Sequence, residues 1–259
     1  MLRLLGPILR FLLDNRRDLP KMRIMTTGGR LVLSRCEDAG ADLDDAALLS
    51  AIEHEIDAFW RSVPFHTLFL GYAMPIESSP HGGTCSDRAI LFHARLTERF
   101  GARLKARLHR CRINGRETHT AILVRLRAGD YLIDVGSNWP VMRPIPCFER
   151  SAFSAFGIQF RAVPEGSMLH VEMKRPEQQE FRPFLSADLT PQSRAQVQAA
   201  IADRYSGHHE LPFAGKLRFA CIHGEAFYTL RDEGFTSGDV ERTELWKAHR
   251  AKNAGTALP

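Results

Sequence analysis

Cys85 follows Gly82-Gly83-Thr84 where a helical pattern opens, His119 lies in the second of two alternating segments, and Asp134 lies in the next. A thiol attacks a carbonyl carbon as its thiolate, and this grouping offers three aids to that reaction. The partial positive charge at a helix N-terminus lowers a thiol pKa. A neighbouring imidazole takes the proton, and a carboxylate behind the imidazole fixes its tautomer and orientation. The paired glycines allow close backbone approach and are expected to leave N–H groups free for an oxyanion.

Strand parity supports the grouping. Opposed residues in a hairpin share a constant sum of numbers, and the sum of 119 and 134 is odd. Any even-membered loop then puts His119 and Asp134 on one side of the sheet. A four-residue loop starting at Leu126 leaves them on a diagonal of about 7–8 Å. A loop centred on Ala128-Gly129 slides them apart along the ladder.

The other reactive side chains lack such surroundings. Cys36, Cys111, Cys147 and Cys221 read as packing residues. Five widely spaced cysteines without a C-x-x-C pair argue against a disulfide framework and a zinc site, and point to reduced thiols in a cytoplasmic protein. His208-His209 and His223 sit in turns without partnered ligand spacing, so no metal site is expected. The chain has 259 residues, 44% hydrophobic and 25% charged, which excludes collagenous and disordered classes and leaves ample length for a core. The net charge is +5 and no run of five or six like charges occurs. That excludes a nucleic-acid arm and supports at most a mild attraction for phosphate-bearing small molecules. No window of about 20 uncharged apolar residues offers a membrane span. Residues 1–13 read as a short amphipathic helix with Leu5, Leu9, Leu12 and Leu13 inward; Arg10 interrupts the apolar stretch that a signal peptide needs.

The elements that must position these groups follow from periodicity. Leu48, Leu49, Ile52, Ile56, Phe59 and Trp60 recur at spacings of three and four behind Asp44-Asp45, and Val63-Pro64 ends that helix. A second helix follows Gly82-Gly83, with Ala89, Phe92, Leu96 and Phe100 inward and Gly101 as its stop. The pattern up to Phe100 is thus helical. From Arg103 the period becomes two: Leu104, Ala106 and Leu108 alternate with basic residues, and Asn114-Gly115 signals a hairpin. Strands are predicted over 118–126, 131–135, 158–163 and 169–173, in an antiparallel sheet or small barrel. Thr190 reads as an N-cap with Pro191 at the first helical position and Gly207 as the stop. Leu217, Phe219 and Cys221 alternate up to the turn His223-Gly224, residues 227–230 return, and a last helix lies near 240–253.

In order along the chain stand Val63-Pro64-Phe65, Gly82-Gly83-Thr84-Cys85, His119 and Tyr131-Leu132-Ile133-Asp134-Val135-Gly136. This series resembles the arylamine N-acetyltransferases, whose signatures are P-F-E-N, R-G-G-Y-C-F-E, a strand-borne His, and Y-x-V-D-V-G-F-G fifteen residues beyond that His. The similarity covers about 43–146. It implies an α+β fold with a cysteine-protease/transglutaminase-like core. A helical bundle carrying the nucleophile would span 1–102, an antiparallel β-barrel carrying His and Asp 103–185, and an α/β lid 186–259. It further implies that Cys85 carries an acyl group as a thioester, taken from acetyl-CoA or another acyl thioester as co-substrate, with no bound cofactor. His119, oriented by Asp134, would shuttle protons, and a small-molecule amine would accept the acyl group in a ping-pong cycle. Phe65, Thr84, Thr118 and Ser137 would surround the substrate.

The departures shape that expectation. His66 stands for the acid of P-F-E-N and His81 for the Arg before the glycines, so a supporting ion pair is replaced as a pair. Thr84, Ser86 and Ser137 stand for aromatic residues, which favours a more polar amine or another acyl donor. The run Gly83-Thr84-Cys85-Ser86-Asp87-Arg88-Ala89 is also similar to the G-x-C-x-D-x-A start of transglutaminase-like cysteine enzymes, which would cleave or exchange amides without CoA. A binding module that kept the fold and lost turnover is the third alternative.

Overall fold

Asp44 accepts a hydrogen bond from the Ala47 N–H at 2.7 Å and starts helix α1, Asp45–Ser62. The computed structural model describes residues 23–26, 44–67, 82–205 and 216–232. Leu48, Ile52, Ile56, Phe59 and Trp60 of α1 are all buried. Helix α2, Cys85–Phe100, buries Ala89, Phe92, Leu96 and Phe100, and Gly101 caps it. The helices are joined by a Phe59–Phe92 ring contact at 4.9 Å and by buried Glu55, which pairs with Arg95 and Arg99.

Two short strands also belong to this N-terminal part, β1 (Arg23–Thr26) and β2 (Phe65–His66), where the sequence pattern reads as helical throughout. Both are short, and β2 takes its ladder from a segment some 150 residues away and a single bridge from Gly83, so local periodicity carries no sign of it.

Eight antiparallel strands form the main sheet, nearly closed into a barrel. They are β3 (Lys105–Ile113), β4 (Arg116–Arg125), β5 (Asp130–Ile133), β6 (Ile145–Pro146), β7 (Ser151–Ala155), β8 (Ile158–Glu165), β9 (Met168–Lys174) and β10 (Arg182–Asp188). Their order is β6-β5-β4-β3-β10-β9-β8-β7. Helix α2 lies against β3 and β4. The turn between β4 and β5 is the four-residue loop that starts at Leu126: Arg125 pairs with Asp130 and Ile122 with Ile133. Strand β5 ends at Ile133, two residues before the expected end, because Asp134 turns out of the ladder to take hydrogen bonds from the loop beyond it.

Strand β10 has no counterpart in the sequence pattern, and it lies across the boundary expected at 185. Pro183 interrupts the run, and the pairing with β9 shifts register between Pro183 and Leu185. Helix α3, Arg194–Tyr205, begins three residues later than expected. Ser193 is its cap, accepting from Gln196 N–H at 3.1 Å while the Gln196 side chain accepts from Ser193 N–H at 2.9 Å. Thr190 instead donates its N–H to Asp188 Oδ1 at 3.1 Å, a turn that precedes the helix.

Strands β11 (Leu217–His223) and β12 (Ala226–Asp232) form the expected hairpin and complete a second sheet of order β1-β12-β11-β2. One continuous core joins this sheet to the helices and the barrel: Ala220, Ile222 and Phe227 belong to the same cluster as Trp60, Phe92, Ile122 and Phe160. The helices expected at 1–13 and 240–253, and Cys36, His81, Gly207 and His208-His209, lie outside the described residues.

Candidate active site

Helix α2 begins at Cys85 because its first turn is closed by side chains. The Thr84 N–H and hydroxyl both donate to Asp87 Oδ2, at 2.7 and 2.9 Å. Just upstream, Gly83 has φ +148° and lies against the Asp87 side chain, whose Cβ would stand 2.7 Å from a Cβ placed there. Strand β2 runs beside this loop: His66 N–H donates to Gly83 O at 2.9 Å, and Gly83 N–H donates to Pro64 O at 3.4 Å. The Pro64-Phe65-His66 segment is therefore a clamp on the loop that presents the cysteine. The Gly83 and Thr84 N–H groups are consumed by Pro64 and Asp87, so the expected free N–H groups are not found there. The glycine serves close packing instead.

Two further ties fix Cys85 against the barrel. Its thiol donates to Thr118 O at 3.4 Å, and the Ser86 and Thr120 hydroxyls are 3.1 Å apart. Gly136 passes so close that a Cβ there would meet Cys85 O and Thr120 O at 2.8 Å. The β4–β5 register places Asp134 two residues along from the partner position of His119, and the side chains close that diagonal: His119 Nε2 donates to Asp134 Oδ1 at 2.8 Å. Asp134 Oδ1 also accepts the N–H groups of Gly136 and Ser137, each at 3.0 Å.

Both members of the His119–Asp134 pair are buried. Burial pushes the imidazole pKa down, but the Asp134 charge and hydrogen bond, followed by the hydrogen bond and charge of Cys85, outweigh it. The pKa is held up to about 10. His119 is thus a cation at neutral pH, held between a carboxylate and a thiol. The remaining described cysteines are unlike Cys85: Cys111, Cys147 and Cys221 are buried, and burial pushes the thiols of Cys147 and Cys221 up to about 12.

Cys85 and His119 open onto a cavity of about 490 Å³. Of the residues expected around a substrate, Phe65, Thr118 and Ser137 line it. Thr84 does not, since its hydroxyl is spent on Asp87. The Ser137 hydroxyl donates to Trp139 O at 2.6 Å and shapes the turn beyond Asp134. Sequence reasoning missed Asn114, Arg116 and Asn138 on the wall. Asn114 was legible only as a turn residue, yet a hairpin tip three to five residues before His119 has to overhang the site. His66 is fully buried, opposite Phe219 of β11.

A sequence model of the N-acetyltransferase family matches residues 76–257. No curated protein matches the chain by sequence. The fold is similar to that of arylamine N-acetyltransferase from Mycobacterium abscessus, at 18% identity over 71% of this chain and 72% of that one, with a TM-score of 0.60. It is similar to the Mycobacterium marinum arylamine N-acetyltransferase in complex with CoA, at 17% identity over 71% and 74% of the two chains and a TM-score of 0.59. For the Salmonella typhimurium arylamine N-acetyltransferase the values are 17% identity, 77% and 78% coverage, and a TM-score of 0.58. With more than half its length inside the family match, the chain belongs to the arylamine N-acetyltransferase family as a divergent member, an acyltransferase of that kind.

Proposed function

We propose that Cys85 takes an acyl group from a CoA-type thioester and passes it to a small amine, with His119 and Asp134 completing the catalytic array. One observation carries this reading: the half-buried Cys85, at the start of α2, interacts with an imidazolium that is itself anchored at 2.8 Å on a buried carboxylate, beside an open cavity. In the first half-reaction the thiolate attacks the thioester carbonyl, and the C–S bond to CoA breaks. The leaving thiolate takes the His119 proton, and Cys85 is left acylated. In the second, the amine attacks the Cys85 thioester and its proton passes to His119. The Cys85 C–S bond breaks and the thiolate and imidazolium are restored. Neither the amide-cleaving alternative nor the inactive binding module is favoured by the family match.

The cavity wall supports an acceptor more polar than a simple aniline. Arg116 is exposed at its rim and makes no ion pair among the described residues, so an anionic group on a ligand would be its partner. Intact mass measured after incubation with acetyl-CoA tests the whole reading. The wild type should gain one acetyl group, Cys85→Ala none, and Asp134→Asn should gain it about 10²-fold more slowly or worse. Retention of the adduct in Cys85→Ala would overturn the assignment. Among acceptors, an amine bearing a carboxylate should discharge the adduct faster than unsubstituted aniline, and the reverse ranking would overturn the polar-pocket reading.

A further inference from the structure

Arg88 is an arginine in the middle of the core. It is 0% exposed and lies one helical turn after Cys85 on α2. Its guanidinium sits 3.9 Å from the Trp60 ring and 5.4 Å from that of Phe59, both on α1. Its Nη1 donates to Ser137 O at 3.5 Å, the carbonyl of a residue whose N–H holds Asp134. Arg88 and Asp134 attract each other by charge, and Arg88 also acts on the buried thiol of Cys221 on β11. Arg88 Nε and Nη2 and Asp134 Oδ2 are buried without a hydrogen-bond partner. Asp134 spends its other oxygen on His119, Gly136 and Ser137, and its charge is the main one that answers the guanidinium. Burial pushes the guanidinium down to about 9 against the pull of Asp134, which leaves it charged at neutral pH.

A lone buried cation is costly, and the apolar residues around it offer no reason to keep one. The Cys85–His119–Asp134 array supplies the reason. With a thiolate, an imidazolium and a carboxylate, that array carries a net negative charge, and Arg88 brings the total to zero. We propose that Arg88 is a positioning residue of the acyl-transfer site, holding the loop after Asp134 in place and supplying the positive charge that lets Cys85 exist as a thiolate beside His119. The proposal rests on Cys85 being the nucleophile. Arg88 acts through Asp134 and Ser137 and lines no part of the cavity, so it touches neither donor nor acceptor.

The test is the pH dependence of Cys85 alkylation by iodoacetamide, followed by peptide mapping, in wild type, Arg88→Gln and Arg88→Lys. Removing a buried positive charge favours protonated states, so the midpoint at which Cys85 becomes reactive should move up by about one unit or more in R88Q. Near neutral pH that is roughly a tenfold slower reaction. R88K keeps the charge and should bring the midpoint most of the way back. Acyl transfer should show a lowered kcat with KM for the acyl thioester little changed. A folded R88Q with the wild-type midpoint would overturn the proposal, leaving Arg88 as packing only. If R88Q does not fold, thermal unfolding of Arg88→Met, Asp134→Asn and their double variant decides instead, since an apolar side chain of similar length removes the charge from the core without stranding a polar group there. Asp134→Asn should cost less beside R88M than alone, because the cation that Asp134 answers is already gone, and strictly additive losses would overturn the coupling. A wild type whose Cys85 reacts only in the ordinary thiol range would fail the nucleophile reading itself, a result distinct from either outcome for Arg88.

Discussion

Burial alone would strip the proton from His119, and its neighbours return it. The consequence reaches beyond catalysis. In the unfolded chain the imidazole releases its proton near 6.5, and in the folded protein at about 10. Between those values the native state holds the additional proton, so stability falls as pH rises; the contribution is complete below about 6.5 and lost above about 10. Urea unfolding midpoints should therefore decline more steeply from pH 6.5 to 10 in the wild type than in His119→Gln. Parallel declines would show that His119 holds no such proton. At this scale the meeting of Cys85, His119 and Asp134 was legible, because it could be argued from residue type and spacing. Arg88 and Arg116 were not, since a chain with 35 lysines and arginines presents each as one more surface charge. Only the fold reveals that one is sealed against Trp60 and the other stands at a cavity rim. Thr84 is the opposite case: the family resemblance implied a place around the substrate, whereas its hydroxyl is turned back onto Asp87 at the start of the helix.

Between residues and molecule, the site is a joint of three elements: α2 delivers the thiol, β4 the imidazole, and the loop leaving β5 the carboxylate. Gly136 sets how closely they meet. Its φ is not in the left-handed region, so what excludes a side chain is space: a Cβ would press on Cys85 O and Thr120 O together. Both are backbone atoms of packed elements and have little room to yield. Gly136→Ala should cost about 1–3 kcal/mol of stability. It should also slow acyl transfer by more than that loss explains, because α2 is pushed from β4. Chemical denaturation together with the rate of Cys85 acylation measures both, and a wild-type rate would show that the joint tolerates the displacement. Elements with a strong local signal were readable from the sequence: α1 from its spacing and Asp44, and α2 from its glycines. Parity put His119 and Asp134 on one side of the sheet but left the β4–β5 loop open between two registers, of which the one starting at Leu126 is observed. Elements that depend on distant partners were not. β2 exists only through β11 and the Gly83 loop, and β10 inserts between β3 and β9 despite Pro183.

For the molecule as a whole, the C-terminal hairpin raises a question of independence. Strands β11 and β12, within the 186–259 unit expected as an α/β lid, pair with strands from the N-terminal part and share its core. Phe227 of β12 is the pivot. It is fully buried, with its ring 6.0 Å from Trp60 of α1, 6.2 Å from Trp139 in the segment after β5, and 6.0 Å from Phe156 between β7 and β8. A single side chain thus touches the helices, the site's supporting loop and the barrel. Trp60 in turn carries Arg88 on its other contacts, which connects this packing to the charge beside Asp134. Phe227→Ala should cost about 3–5 kcal/mol, the range for emptying a buried aromatic position. Because the core is continuous, the loss should fall on the entire fold: tryptophan fluorescence and far-ultraviolet circular dichroism should report one coincident transition, in the wild type and at a lower midpoint in the variant. Two separated transitions, with the fluorescence change preceding the loss of barrel signal, would show instead that the second sheet opens as its own unit. In that case Cys85 alkylation should quicken in step with the first transition, since the β2 clamp on the Gly83 loop is part of that sheet.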